Sequence, residues 1–96
     1  MFQVVIVEDD PMVAQINKEY LETFPDLNVV GSFHNGREAL QYLVEEPPQL
    51  VLMDVYMPLM NGMELLREIR GRGISSDVIM VTAANSAEQV NEGFRM

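Results

Sequence analysis

The sequence predicts an α/β fold in which a doubly wound parallel sheet is covered by helices. Short apolar runs rich in β-branched residues alternate along the chain with longer segments that carry an apolar stripe at helical spacing. The order is β-α-β-α-β-α-β-α, and such alternation implies parallel strands joined by right-handed crossovers. No linker, repeat or low-complexity stretch interrupts it, so the 96 residues are expected to form one domain spanning 1–96.

The first strand is predicted from Phe2 to Val7, a short and mainly apolar run typical of a strand buried on both faces. A helix should begin at Asp10-Pro11, because aspartate can cap the free N–H groups and proline fits the first turn. This helix should end before Pro25. Its predicted buried stripe consists of Val13, Ile16, Tyr20 and Leu21, with Phe24 as its continuation.

The second strand is predicted from Leu27 to Phe33, followed by a turn at Asn35-Gly36 into a second helix. Pro47-Pro48 should end that helix, because proline cannot continue it. The apolar face of the helix is predicted to comprise Ala39, Leu40 and Leu43.

The third strand is predicted from Gln49 to Met53, and the loop after it reaches Gly62. A third helix should run to about Arg70, where Gly71 and Gly73 end it; its inward residues are Leu65, Leu66 and Ile69. The fourth strand is predicted from Asp77 to Val81. A fourth helix should begin at Ser86-Ala-Glu-Gln89, which resembles a capping box, with Val90 and Phe94 on its buried face.

Acidic residues stand at the ends of two predicted strands. Glu8, Asp9 and Asp10 follow the first strand, and Asp54 closes the apolar run of the third. The carboxyl ends of parallel strands line one edge of the sheet, so the two groups of acids should meet there. Carboxylates at one spot repel each other, and Mg²⁺ suits a small site built from oxygen ligands. We assign Asp10 to capping of the first helix.

Composition limits the classes of function. The net charge of −9 and the pI near 4.3 disfavour direct contact with nucleic acid or an anionic membrane. The absence of Cys excludes disulfides, thiolate nucleophiles and Cys-ligated zinc. No apolar run reaches membrane-spanning length, and the N-terminus carries no basic region before an apolar stretch, so we expect an unprocessed cytoplasmic protein.

The sequence of the loop after the first strand limits which ligands the protein could bind. Alternation and length leave open flavin binding, nucleotide binding and phosphoryl transfer. This loop contains neither G-x-G-x-x-G nor G-x-x-x-x-G-K-[ST], and it offers negative charge where a phosphate-binding loop would offer N–H donors. Dinucleotide binding is therefore disfavoured.

Four motifs in order resemble a known family. They are Val-Glu-Asp-Asp-Pro around Asp9, Met-Asp-Val-Tyr-Met-Pro around Asp54, Asn61-Gly62, and Val-Thr-Ala around Thr82. Together they resemble the receiver domain of bacterial two-component response regulators, and the wording around Asp9 and Asp54 is similar to the subfamily that regulates citrate and C4-dicarboxylate metabolism. The resemblance covers the whole chain and implies a flavodoxin-like receiver fold with strand order 2-1-3-4-5.

The resemblance also implies roles for individual residues. Asp54 matches the aspartate that receives a phosphoryl group from a histidine of a sensor histidine kinase. Asp9 matches the direct Mg²⁺ ligand, Glu8 lies beside it, and the main-chain carbonyl of Tyr56 matches a further ligand. Thr82 matches the switch hydroxyl. The implied function is that of a signalling switch that controls a transcriptional output domain. Any DNA binding would belong to that output domain.

One residue of the family pattern has no match here. Receivers carry a Lys after the fifth strand, and counted from Thr82 it should fall beyond residue 100; the only Lys in this sequence is Lys18. The resemblance therefore implies a strand order of 2-1-3-4 with the fifth strand and helix missing. We expect a fourth strand with an exposed edge, and the chain could associate with a second copy through that strand or through the exposed flank of the fourth helix. No output domain is expected within 1–96.

Two other classes of function remain. An Mg²⁺-dependent phosphohydrolase with an aspartate nucleophile would share the fold, but it needs a second acid two residues after the nucleophile, where this chain has Tyr56. A phosphorylation-incompetent interaction module is the other alternative. His34 stands alone in a predicted loop, and we expect it to be a surface residue, since the phosphorylated histidine of the resembled system belongs to the kinase.

Overall fold

Four strands and three helices make up the part of the chain that the computed structural model describes, residues 2–57 and 59–81. The strands are β1 (Phe2–Val7), β2 (Leu27–Phe33), β3 (Leu50–Asp54) and β4 (Asp77–Val81), and the helices are α1 (Pro11–Glu22), α2 (Gly36–Glu45) and α3 (Gly62–Gly71). The predicted fourth helix and Thr82 lie outside the described residues.

The strands form one parallel sheet in the order β2-β1-β3-β4, which confirms the predicted fold class. Val7 at the end of β1 pairs with Met53, and Asp54 pairs with Val81 of β4. The register therefore brings the ends of β1, β3 and β4 to one edge of the sheet. Asp54 is itself the last residue of β3, one position later than the strand end that the sequence predicted.

The main core lies between the sheet and helices α2 and α3. All four residues from Val4 to Val7 have no exposed surface, as expected for a strand covered on both faces. Alternate side chains point to opposite faces, so Val5 and Val7 join the cluster under α2 and α3. The other buried members of that cluster are Ala39, Leu43, Val51, Met53, Met57, Leu65, Leu66, Ile69 and Met80.

Side-chain caps begin all three helices. The Asp10 carboxylate accepts hydrogen bonds from Met12 N–H at 2.9 Å and Val13 N–H at 3.4 Å, which confirms the predicted cap of α1. Asn35 caps α2. Asn61 caps α3 in a reciprocal capping box with Glu64, a feature that the sequence analysis did not anticipate. No helix in the described part of the chain is long and apolar enough to cross a membrane.

The predicted buried stripe of α1 is wrong in most of its members. Ile16 is 57% exposed and Tyr20 65% exposed, and Val13 and Phe24 are also exposed. The helix instead lies on β1 and β2 through Ala14, which is buried, and Leu21, which is half-buried. At 3.6 residues per turn Ala14 and Leu21 share one face of the helix, whereas Ile16 and Tyr20 lie well round the helix from that face and are exposed.

Candidate functional site

Three carboxylates converge at the edge of the sheet where β1 and β3 end. Glu8, Asp9 and Asp54 each offer an oxygen atom, and these oxygens all lie within 4.8 Å of one another. They open on a cavity of about 350 Å³, here called the acid pocket. Its lining residues are Glu8, Asp9, Asp10, Val13, Asn17, Asp54, Tyr56 and Val81. The meeting of the acids was predicted from the sequence, whereas the contribution of Val13, Asn17 and Val81 to the lining was not.

Glu8 is held from both sides of its main chain. Its N–H donates to the carbonyl of Phe33 at 2.9 Å, and its own carbonyl lies 3.2 Å from Nδ1 of His34. The side-chain oxygen Oε2 accepts a hydrogen bond from Asp10 N–H at 3.1 Å. With only 7% of its surface exposed, Glu8 is a fixed and buried acid.

Asp54 is equally buried, with 6% of its surface exposed. Its Oδ1 accepts a hydrogen bond from Tyr56 N–H at 3.1 Å, which orients the carboxylate from the loop that follows β3. The next peptide is anchored as well, because Val55 N–H donates to the carbonyl of Val81 at 3.0 Å. The acid therefore stands on a rigid strand end, as a site for chemistry requires.

The environment disfavours the charged form of both buried acids. The pKa of Glu8 is raised to about 7, chiefly by burial and also by the neighbouring Asp9 and Asp54, against the opposing hydrogen bond from Asp10 N–H. Burial also raises the pKa of Asp54, and Asp9 adds to the effect, while the hydrogen bonds from Tyr56 and Glu8 oppose it. A cation in the acid pocket would remove this penalty, because it favours the ionised carboxylates.

The ligand types indicate which cation fits. All three groups are carboxylates, and hard oxygen ligands select Mg²⁺, Ca²⁺ or Mn²⁺ over zinc. Across residues 2–57 and 59–81, this is the one cluster of three or more His, Cys, Asp or Glu side chains close enough together to hold an ion. The site thus fits the Mg²⁺ that the sequence predicted.

The other residues singled out from the sequence are not part of the carboxylate cluster. Tyr56 lines the acid pocket with its side chain half exposed, and the contact that the structure gives its main chain is the N–H bond to Asp54. Asp10 caps α1 as expected. Thr82 lies outside the described residues. His34 is exposed, as predicted, but sequence reasoning missed its contact with Glu8, which depends on how the ends of β1 and β2 align.

A second cavity lies at the opposite end of the sheet. It has a volume of about 450 Å³, larger than the acid pocket, and is lined mainly by the loops before β3 and β4. Asp77 is the one acidic or basic side chain in its lining. A single exposed acid provides no cluster of groups for chemistry, so the acid pocket is the candidate site.

Comparison with known proteins places the chain in a family. Residues 4–96 match the response regulator receiver domain. The chain belongs to this family. It is 40% identical over 90 residues to the probable C4-dicarboxylate response regulator DctR of Bacillus subtilis (strain 168), covering 94% of this chain and 40% of DctR. It is also 40% identical over 97 residues to the transcriptional regulatory protein CitT of Halalkalibacterium halodurans, covering 99% of this chain and 42% of CitT.

Solved receiver structures share the fold. The MaeR response regulator bound to beryllium trifluoride superposes with a TM-score of 0.82 at 35% sequence identity, covering 100% of this chain and 79% of MaeR. The resemblance read from the motifs, including the citrate and C4-dicarboxylate subfamily, is thereby confirmed. The chain spans about two fifths of the length of DctR and CitT, so the matching part is the receiver and not the whole regulator.

Proposed function

We propose that Asp54 is the phosphoacceptor of this receiver domain and that Glu8, Asp9 and Asp54 hold the Mg²⁺ on which phosphorylation depends. The observation that carries the proposal is the convergence of three carboxylates within 4.8 Å around a buried aspartate at the end of β3. Receiver domains are phosphorylated by sensor histidine kinases, and Mg²⁺ is typical of the family. The main-chain carbonyl of Tyr56 belongs to the proposed ligand set.

The proposed transfer forms one bond and breaks one. An ionised oxygen of Asp54 attacks the phosphorus of a phosphohistidine on the kinase, and the P–O bond forms as the P–N bond breaks. The electron pair of the P–N bond goes to the imidazole nitrogen, which takes a proton from water. The Tyr56 N–H keeps Asp54 in one orientation for this attack. Mg²⁺ held by these carboxylates would neutralise negative charge on the oxygens of the phosphoryl group during the transfer.

The switch that follows is proposed to act through the neighbouring strand. Val81 pairs with Asp54, and its carbonyl oxygen accepts a hydrogen bond from Val55 N–H. The end of β4 is therefore in direct contact with the proposed phosphoacceptor. Thr82, the next residue, is the proposed switch hydroxyl. A phosphoryl group on Asp54 would shift the population between two arrangements of this strand end, which is how a local charge change is transmitted.

The wider role is proposed from the relatives. DctR is named for a C4-dicarboxylate response, and CitT is a transcriptional regulatory protein. We propose that this receiver serves a cytoplasmic regulator in which a sensor histidine kinase phosphorylates 1–96 as one domain and a transcriptional output domain responds. With a net charge of −9, the receiver itself is not expected to contact DNA.

The chain is proposed to be a switch and not a hydrolase. A phosphohydrolase with an aspartate nucleophile would carry a second acid two residues later to activate water, and here that position is Tyr56, whose side chain is half exposed and lacks a carboxylate. The relatives DctR and CitT are regulators by name. Stable phosphorylation with little turnover is therefore the expected behaviour.

A small phosphodonor tests the proposal. Incubation with Mg²⁺ and acetyl phosphate should yield an acid-stable, base-labile acyl phosphate that peptide mapping locates at Asp54. Asp54→Asn should abolish the label, while Asp77→Asn, a matched change at an exposed acid at the opposite end of the sheet, should leave it unchanged. Labelling of another residue in the wild type, or rapid phosphate release without a labelled intermediate, would contradict the proposal.

A further inference from the structure

His34 is exposed, yet its ring contacts the main chain of a residue of the acid pocket. It follows directly after β2, and its ring nitrogen Nδ1 lies 3.2 Å from the main-chain carbonyl oxygen of Glu8. The residues are 26 positions apart, so the contact joins the end of β2 to the acid pocket. It is the chain's single histidine.

The chemistry of the contact determines where the proton lies. A carbonyl oxygen can only accept a hydrogen bond, so Nδ1 of His34 must carry the proton for the contact to be attractive. The neutral imidazole is then in its Nδ1–H form, with Nε2 available as an acceptor. A contact between two acceptors at 3.2 Å would be repulsive, and an exposed ring would rotate away from it.

This hydrogen bond completes a clamp on Glu8. The N–H of Glu8 donates to the carbonyl of Phe33, and the carbonyl of Glu8 accepts from His34, so both polar main-chain groups of Glu8 are held by consecutive residues. Rotation of the Glu8 backbone would break one bond or the other. The clamp therefore fixes the backbone of Glu8 at the place from which its side chain reaches the acid pocket.

The clamp is itself anchored. Asn35, the residue after His34, caps α2 through its bond to Glu38 N–H at 2.9 Å. Gly36 then packs so tightly against the loop after β3 that an added Cβ would lie 2.8 Å from the carbonyl oxygen of Met60. The segment that carries His34 is thus fixed against the same loop that follows Asp54, so the histidine is a rigid support.

We propose that His34 is a positioning residue for cation binding: its Nδ1–H holds the main chain of Glu8 so that the Glu8 carboxylate stays in the acid pocket. His34 touches neither the cation nor the phosphoryl group and acts only through Glu8. The inference rests on the proposed function of Glu8 as part of the Mg²⁺ site. Hydrogen-bonded supports of this kind orient ligands at metal sites generally.

Mg²⁺ affinity measured by calorimetry tests the inference with three variants. His34→Ala removes the donor and should weaken binding roughly three- to tenfold, the effect of one hydrogen bond. His34→Asn places an amide N–H where Nδ1–H stood and should restore affinity to within about twofold. Ser32→Ala, at an exposed polar residue two positions earlier, should leave affinity at the wild-type value.

The ring nitrogens give an independent readout. Because there is one histidine, a ¹⁵N spectrum of the labelled protein contains one pair of ring signals, and we expect Nδ1 to carry the proton in the neutral form. A neutral ring protonated at Nε2 would overturn the inference, since the carbonyl of Glu8 would then have no donor. Wild-type affinity in His34→Ala would overturn it as well.

The remaining outcomes separate this inference from the proposed function. If the wild type does not bind Mg²⁺, the proposed metal site fails, and the ring spectrum still decides whether the clamp exists. If His34→Ala and His34→Asn both lose affinity together with thermal stability, the residue is merely structural and the positioning role is wrong. Loss in Ala with rescue in Asn at unchanged melting temperature is the result that supports it.

Discussion

Gly62 lies directly against the main chain of Asp54. A Cβ added at Gly62 would stand 2.5 Å from the carbonyl oxygen of Asp54 and 3.0 Å from Cα of Val55. Gly62 N–H also donates to the carbonyl of Val55 at 2.9 Å. The first turn of α3 therefore rests on the backbone of the proposed phosphoacceptor, and only glycine leaves room for this approach.

Gly62→Ala should consequently destabilise the protein and displace the acceptor. Both groups in the clash are backbone, so neither can rotate away, and overpacking of this kind costs about 1–3 kcal/mol. Chemical denaturation should show the loss, and Mg²⁺ binding should weaken in parallel because Asp54 moves.

Gly71→Ala is the matched control for that substitution. It lies at the other end of α3, where an added Cβ would meet nothing within 4 Å. Replacing glycine by alanine in a helix without a clash stabilises by about 0.4–1 kcal/mol. Equal stability of the two variants would show that the backbone near Asp54 yields more easily than the 2.5 Å approach indicates.

The acid pocket could be predicted from sequence because it depends on topology alone. Apolar runs located the ends of β1 and β3, and parallel pairing brings such ends together whatever the details of packing. The approach of Gly62 to Asp54 and the contact of His34 with Glu8 could not be predicted in the same way. Both depend on backbone distances between segments remote in sequence, which no local pattern encodes.

The orientation of α1 shows a second limit. Its sequence carries apolar residues on two adjacent faces, and periodicity alone does not say which face meets the sheet. The larger residues Ile16 and Tyr20 were predicted inside, yet the small Ala14 faces the sheet. The choice depends on which face β1 and β2 cover, and that is a tertiary contact that helical periodicity does not encode.

Leu59 adopts a backbone conformation that is costly for its side chain. Its φ is +69°, in the left-handed region, and 74% of its surface is exposed. Asparagine tolerates this region better than other non-glycine residues, because its short polar side chain bonds locally. Leu59→Asn should therefore raise the free energy of unfolding by about 1 kcal/mol. Leu59→Ala, which keeps the unfavourable φ, should gain much less, and equal gains would trace the effect to the exposed side chain instead.

Mg²⁺ should stabilise the folded protein through Asp9. A ligand that binds only the folded state adds about 2.7 kcal/mol at a concentration 100 times its Kd, so thermal melts with and without Mg²⁺ should separate clearly. Asp9→Asn removes one carboxylate of the cluster and should abolish most of this shift. Asp77→Asn is the control, because it removes one exposed carboxylate at the opposite end of the sheet from the three clustered acids. Loss of the shift in both variants would exclude the assigned ligand set.

The raised pKa of Glu8 makes the metal-free protein less stable as pH rises. Burial, together with the neighbouring Asp9 and Asp54, lifts this pKa from 4.5 to about 7. Between these values the folded state binds the proton that the unfolded state has lost, so the stabilising contribution is complete below pH 4.5 and disappears as pH passes about 7. The raised pKa of Asp54 acts in the same direction.

Glu8→Gln tests this effect, because glutamine does not titrate, and the acidic groups remote from Glu8 contribute alike to both proteins. Asp54 is coupled to Glu8, so the comparison reports on the pair and not on Glu8 alone. The difference in unfolding free energy between Glu8→Gln and the wild type, measured by urea denaturation without Mg²⁺, should grow in favour of the variant from pH 5 to pH 7.5. Saturating Mg²⁺ should reverse the order at pH 7.5, since the ionised Glu8 then contributes to binding and the variant cannot. A constant difference across this pH range would mean that Glu8 is already ionised at pH 5 in the folded protein, and that water reaches the acid pocket more freely than the 7% exposure of Glu8 indicates.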